Sequence, residues 1–127
     1  MSQSEKTILI VDDEPDILLF LEAALGYAGY RVLTATTGER LFSLLAREQP
    51  DLILLDMLLS GADGRELTRQ LKDQETTAQI PVLMISAHPR AEQEAQAAGA
   101  DGFLAKPFSI KTILGRITTL LVVGDRC

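Results

Sequence analysis

The apolar positions fall into two alternating kinds of run. Five runs are short and either unbroken or rich in β-branched residues: "TILIV" at 7–11, "RVLTA" at 31–35, "LILL" at 52–55, "PVLMIS" at 81–86 and "GFLA" at 102–105. Unbroken apolar runs of this length suit strands buried on both faces, as in a parallel sheet. Between them, apolar residues recur at helical spacing. Pro15 suits a first helical turn, and that segment runs to about Tyr27 with Gly29 as its stop. Residues 38–48 put Leu41, Leu44 and Leu45 on one face. Asp63 and Glu66 read as an N-cap and its N3 partner, followed by a buried stripe of Leu67 and Leu71. Residues 89–98 form an alanine-rich helix closed by Gly99. The last helix carries Ile110, Ile113, Leu114, Ile117, Leu120 and Leu121 as one stripe.

Strand and helix therefore alternate about five times. That order predicts an α/β domain with a parallel sheet, helices on both faces and right-handed crossovers. "GADG" occurs at 61–64 and 99–102 and reads as turn grammar, once before a helix and once before a strand. With no linker or low-complexity segment, one domain is expected over 1–127, its core over about 6–122. The chain has 127 residues, 46% of them hydrophobic, which suits a single core. A net charge of −6, with twelve scattered Lys and Arg, argues against a nucleic-acid face. The single cysteine, Cys127, cannot form an internal disulfide. No apolar run approaches the ~18 residues a membrane span needs. The expectation is a cytoplasmic domain that touches neither membrane nor nucleic acid directly.

Asp56 does not fit a pure core reading, because a carboxylate inside "DLILLDMLL" is costly unless paired, metal-bound or at an element's end. The strand assignment puts it where a strand leaves the core, with "MLL" opening a loop. Ligands of open α/β sheets bind beyond the carboxyl ends of the strands. The residues there are Asp12 and Asp13 after the first strand, Asp56 at the third, Ser86 at the fourth, and Lys106 and Pro107 after the fifth. Three converging carboxylates repel unless they share protons or a cation. Oxygen donors of this kind suit Mg²⁺. An ammonium and a hydroxyl beside them could hold the oxygens of a phosphoryl group.

The segments "ILIVDDEPD" (8–16), "PDLILLDMLLSGADG" (50–64), "IPVLMISA" (80–87) and "AAGADGFLAKPF" (97–108) together resemble the receiver domain of bacterial response regulators. The resemblance implies the CheY-like, flavodoxin-like doubly wound (βα)5 fold, with strand order 2-1-3-4-5 counted along the chain. It implies that Asp56 is the phosphoacceptor. Mg²⁺ would be held by Asp12, Asp13, Asp56 and the backbone carbonyl of Leu58, with Asp13 a direct ligand. Ser86 would be the switch hydroxyl, Lys106 the phosphoryl-neutralising lysine, Phe103 the switch aromatic, and Lys106–Pro107 a cis peptide. The implied donor is a phosphohistidine on a histidine kinase or phosphotransfer protein, and the implied output is a conformational change read by a downstream effector protein or domain. A phosphorylation-dependent homodimer belongs to the same set of expectations. The chain would act as a phosphoacceptor switch, catalysing only its own phosphorylation and dephosphorylation. A receiver module of a hybrid histidine kinase is an alternative setting. A Mg²⁺-dependent phosphatase is disfavoured, because D-x-D is missing after Asp56 and after the first strand.

Departures from the family pattern and two surfaces sharpen this picture. Where the family commonly has Met-Pro, this chain has Leu59-Ser60. Leu58 and His88 occupy positions that tune phosphate lifetime in the family, and an apolar Leu58 is expected to slow hydrolysis. In the first helix, facing Leu18, Leu21 and Leu25 inward leaves Ile17 and Phe20 leaning outward as a partner surface. The alanine-rich helix buries little area and is expected to be weakly held.

Overall fold

The apolar runs become strands and the periodic segments become helices in the computed structural model, which describes residues 5–125. In chain order the elements are β1 (Thr7–Val11), α1 (Pro15–Tyr27), β2 (Arg31–Ala35), α2 (Gly38–Leu45), β3 (Leu52–Asp56), β4 (Leu58–Leu59), β5 (Ala62–Asp63), α3 (Gly64–Lys72), β6 (Val82–Ser86), α4 (Ala91–Ala98), β7 (Gly102–Ala105) and α5 (Ile110–Asp125). Five strands pair in parallel in the order β2-β1-β3-β6-β7. This is the expected order, since β4 and β5 form a separate antiparallel pair. Cys127 lies outside the described residues.

The unbroken runs are buried on both faces because successive residues point to opposite sides of the sheet. Ile8, Ile10, Leu52 and Leu54 face Leu18, Leu21 and Leu25 of α1 and Ile113 and Ile117 of α5. Leu9, Val11, Ile53 and Leu55 face Leu41 and Leu44 of α2 and Leu67 and Leu71 of α3. Each such leucine or isoleucine stabilises the fold by roughly 1.5–3 kcal/mol relative to exposure. A third, smaller cluster joins Met57 and Met84 to Ala91 and Ala95 of α4.

Some local details depart from the sequence reading. The loop expected after Asp56 is a two-stranded hairpin, because Leu59 turns inward while Leu58 faces solvent and Gly61 supplies the turn at φ +75°. Asp63 does cap α3, accepting from the Arg65 N–H, but Glu66 reaches Arg69 instead of closing a capping box. Helix α2 stops at Leu45, and α4 begins at Ala91. Gly99 closes α4 in the left-handed region, as expected. Ile17 packs against the α1–α5 core rather than standing free, whereas Phe20 is exposed, with Leu19 and Tyr27.

At the amino edge of the sheet, Lys72 at the end of α3 donates to the carbonyls of Ala78 and Ile80 and to Asp101 Oδ2. The same Asp101 oxygen accepts the Val82 N–H. One ammonium thus ties α3 to the starts of β6 and β7.

Gly64 sets the opposite edge. Its N–H donates to the Met57 carbonyl at 2.7 Å. A Cβ there would stand 2.5 Å from the Asp56 carbonyl oxygen and 2.8 Å from Met57 Cα. Backbone lies in the way, so only glycine lets α3 start this close to the end of β3. Gly64→Ala is therefore expected to lower stability by about 2 kcal/mol or more in urea unfolding. Gly26→Ala, in open space on α1, should be neutral or stabilise by up to about 1 kcal/mol. Equal effects of the two substitutions would contradict this account.

Candidate functional site

The carboxyl ends of the parallel strands bring the predicted residues together. The ladder runs one residue past β1, β3 and β7: Asp12 N–H donates to the Ala35 carbonyl, Met57 N–H to Ile85, and Lys106 N–H to Ser86. These bonds fix the backbone from which Asp12, Asp56, Ser86 and Lys106 project. Asp12, Asp13 and Asp56 each offer a carboxylate oxygen within 4.8 Å of the others. Lys106 Nζ lies 3.5 Å from Asp56 Oδ2. Asp13, Asp56, Leu58, Ser86, His88 and Lys106 line one open cleft.

The three acids differ electrostatically. Asp12 is 1% exposed, and burial pushes its carboxyl up to about 6, against the pull of the Glu14 N–H on its Oδ1. Burial also raises Asp56, with Lys106 and the Leu58 N–H opposing. Asp13 is held below the usual carboxylate range by Ser60, through its hydroxyl and its N–H, the latter 2.6 Å from Asp13 Oδ2. The site thus mixes two acids that resist ionisation with one that favours it.

The donor set fits a hard divalent cation. Among the described residues, Asp12 Oδ2 is a buried side-chain oxygen with no hydrogen-bond partner. A buried oxygen of that kind is costly unless a proton or cation meets it. All the side-chain ligand atoms are carboxylate oxygens, the type Mg²⁺ prefers.

The other predicted residues stand as follows. Ser86 is buried, and its Oγ accepts the His88 N–H at 3.0 Å. Leu58 is 57% exposed at the rim of the cleft. Phe103 is half-buried against the Met57–Met84–alanine cluster. Arg116 on α5 donates to its carbonyl. The Lys106–Pro107 peptide is cis. Ile17 and Phe20 line an apolar cleft with Pro107 and Phe108, and Lys106 forms its border with the acids.

Sequence reasoning missed two participants. Glu14 Oε1 lies 3.8 Å from Lys106 Nζ, giving the lysine a second carboxylate. Its signal was its place directly after Asp12 and Asp13. Ser60 was noticed only as a departure from proline, and its N–H is a donor that proline lacks.

Comparison with known proteins bears on this site. The sequence matches the response regulator receiver domain family over residues 8–118. It is 41% identical over 118 residues to the phosphate regulon transcriptional regulatory protein PhoB of Pseudomonas aeruginosa, covering 91% of this chain and 52% of that protein. The chain spans about half the length of the first curated relatives it matches. Its fold superposes on the chemotaxis response regulator CheY4 of Vibrio cholerae with TM-score 0.86 at 29% identity, covering 92% of this chain and 99% of the other. It also matches the receiver domain of a sensor histidine kinase from Pseudomonas aeruginosa, whose structure has a magnesium ion coordinated in the active site cleft. That match has TM-score 0.85 and 29% identity, covering 93% and 98% of the two chains.

A pH dependence follows from Asp12. Its folded value of about 6 lies above the ordinary 3.8, so the folded protein binds more protons than the unfolded chain between those values. Stability without metal should therefore fall as pH rises through that window. The fall should be shallower in Asp12→Asn, which isolates this group from the other acids. A divalent cation favours the ionised form, so Mg²⁺ should raise the melting temperature more at about pH 7 than at about pH 5. A Mg²⁺ effect independent of pH in thermal melts would contradict this.

Proposed function

Because the chain belongs to the response regulator receiver domain family, we propose that it accepts a phosphoryl group on Asp56 and relays that event as a conformational change. The observation that carries the reading is the meeting of Asp12, Asp13 and Asp56 at one sheet edge with Lys106 3.5 Å from the Asp56 carboxylate. Acids that repel one another have a use for the cation that phosphoryl chemistry needs.

In the proposed reaction a carboxylate oxygen of Asp56 attacks the phosphorus of a phosphohistidine on a histidine kinase or phosphotransfer protein. The new O–P bond forms as the P–N bond breaks. The electron pair stays on the imidazole nitrogen, which then takes a proton from solvent. Asp12, Asp13, Asp56 and the Leu58 carbonyl would hold Mg²⁺, which when bound supplies positive charge to the transferring oxygens. Lys106 neutralises a further phosphoryl oxygen from the opposite side. Ser86 keeps its own hydroxyl proton for the phosphoryl group, since its Oγ accepts from His88. Catalysis of this kind is positioning and electrostatics.

The output runs through the third cluster. Ser86 moving toward the phosphoryl group draws the 87–90 segment with it, and α4 follows. Phe103 packs against Ala91 and Ala95 of that helix and takes up the space released. Arg65 opposes the shift, because its guanidinium joins Asp63 to Glu94 on α4 at 2.6 Å. One phosphoryl group can bias such a pair of states only if they differ by a few kcal/mol. The donor docks on the apolar cleft of Ile17, Phe20, Pro107 and Phe108 beside Lys106. The effector is a further domain or a separate protein, and phosphorylation-dependent pairing of two copies is a further outcome of the same change. No helix among the described residues is long and apolar enough to cross a membrane, which is compatible with a cytoplasmic setting.

One labelling series tests this reading. With Mg²⁺ and acetyl phosphate the protein should gain the mass of one phosphoryl group, and Asp56→Asn should not. Phe20→Ala should label normally from acetyl phosphate yet accept phosphate several-fold more slowly from a phosphohistidine donor. Equal labelling of Asp56→Asn would remove Asp56 from the mechanism.

Leu58 generates a separate expectation. Its exposed apolar side chain at the cleft rim offers no group to orient an attacking water. Leu58→Asn should therefore shorten the half-life of the phosphoprotein by roughly 3- to 10-fold, within the usual range for an added positioning group. An unchanged decay rate would rule out this role for Leu58.

A further inference from the structure

Ser60 stands at the tip of the β4–β5 hairpin, 47 positions along the chain from the acid it touches. Its N–H lies 2.6 Å from Asp13 Oδ2, a short charge-assisted bond. The contact joins the loop after β1 to the hairpin after β3. Those two segments carry Asp13 and Leu58, so the bond spans the outer wall of the proposed cation site.

The turn explains how the donor is aimed. Gly61 has φ +75°, and among the described residues only glycines have positive φ, so Ser60–Gly61 matches the centre of a type II turn. The first central position of that turn accepts proline well, because φ near −65° is what it requires. Ser60→Pro should thus keep the hairpin while deleting both the N–H and the hydroxyl. That makes the substitution a probe of the donor rather than of the fold.

Resting on the reading of Asp13 as a cation ligand, we propose that Ser60 is a positioning residue that clamps the Asp13 carboxylate before the cation arrives. Oδ2 is turned to Ser60, which leaves Oδ1 for the metal. Without the clamp, Asp13 is a half-exposed side chain whose ordering must accompany binding. Partners that orient metal-binding carboxylates contribute to affinity in this way. The clamp also fixes the hairpin, and with it the Leu58 backbone, relative to the acid.

The test is Mg²⁺ affinity by titration calorimetry on the unphosphorylated full chain, with circular dichroism as a check on the fold. Saturable binding by the wild type, abolished in Asp13→Asn, establishes the underlying reading; its absence would overturn that reading instead. Given such binding, Ser60→Thr, which retains both donors, should stay within about 2-fold of wild type. Ser60→Ala retains the N–H and should weaken binding less than Ser60→Pro, for which a roughly 3- to 10-fold higher Kd is expected. A folded Ser60→Pro protein binding Mg²⁺ as tightly as wild type would overturn the clamp. Ser60→Ala falling as far as Ser60→Pro would assign the effect to the hydroxyl and overturn the role of the amide.

Discussion

Like charges forced together at a buried edge are the constraint around which this molecule is arranged. Two ionised carboxylates 4.8 Å apart repel by about 3 kcal/mol at an effective dielectric near 20. Asp12 and Asp56 are buried as well, which adds a desolvation cost. The fold offsets this with donors rather than with distance. Backbone N–H groups of Glu14, Leu58 and Ser60 each reach one of the three acids, and Lys106 reaches Asp56. The offset is incomplete at Asp12, whose second oxygen has no partner among the described residues. A site left in that condition favours the arrival of positive charge.

The rest of the structure holds that edge still on one side and leaves it adjustable on the other. Gly64 lets α3 press on the backbone of Asp56 and Met57, and Lys72 pins the far end of the same helix. On the α4 side the contacts are alanines, two methionines and one half-buried phenylalanine. Alanine buries little area, so the Arg65–Glu94 pair becomes a noticeable part of what locates α4. Both partners are about one-third exposed, so salt weakens that hold.

Much of this was legible in the sequence. Unbroken runs such as Leu52–Leu55 announced strands buried on both faces, and the place of each acid followed from where those runs end. The hairpin over Leu58–Asp63 was not legible, because two-residue strands carry too little periodicity to register. Glu66 followed the capping-box pattern but pairs with Arg69, since both patterns are equally open to an exposed glutamate. The outward lean of Phe20 could be deduced from the stripe of Leu18, Leu21 and Leu25. The partial burial of Ile17 could not, because the cluster it packs against includes residues of α5, far along the chain. Ser60 was missed as a partner for Asp13 because its contribution comes partly from the main chain, which residue identity reveals only when it is proline.

The division of the apolar interior into three clusters has a consequence for how such a domain can change over generations. The two large clusters lie on opposite faces of the sheet, and the small one under α4 is separate from both. Substitutions around Ala91, Ala95 and Phe103 therefore act first on how α4 is held, and less on the two layers that keep the acids in register. A lineage built on this plan can retune how α4 is held without rebuilding the strand ends that carry the acids.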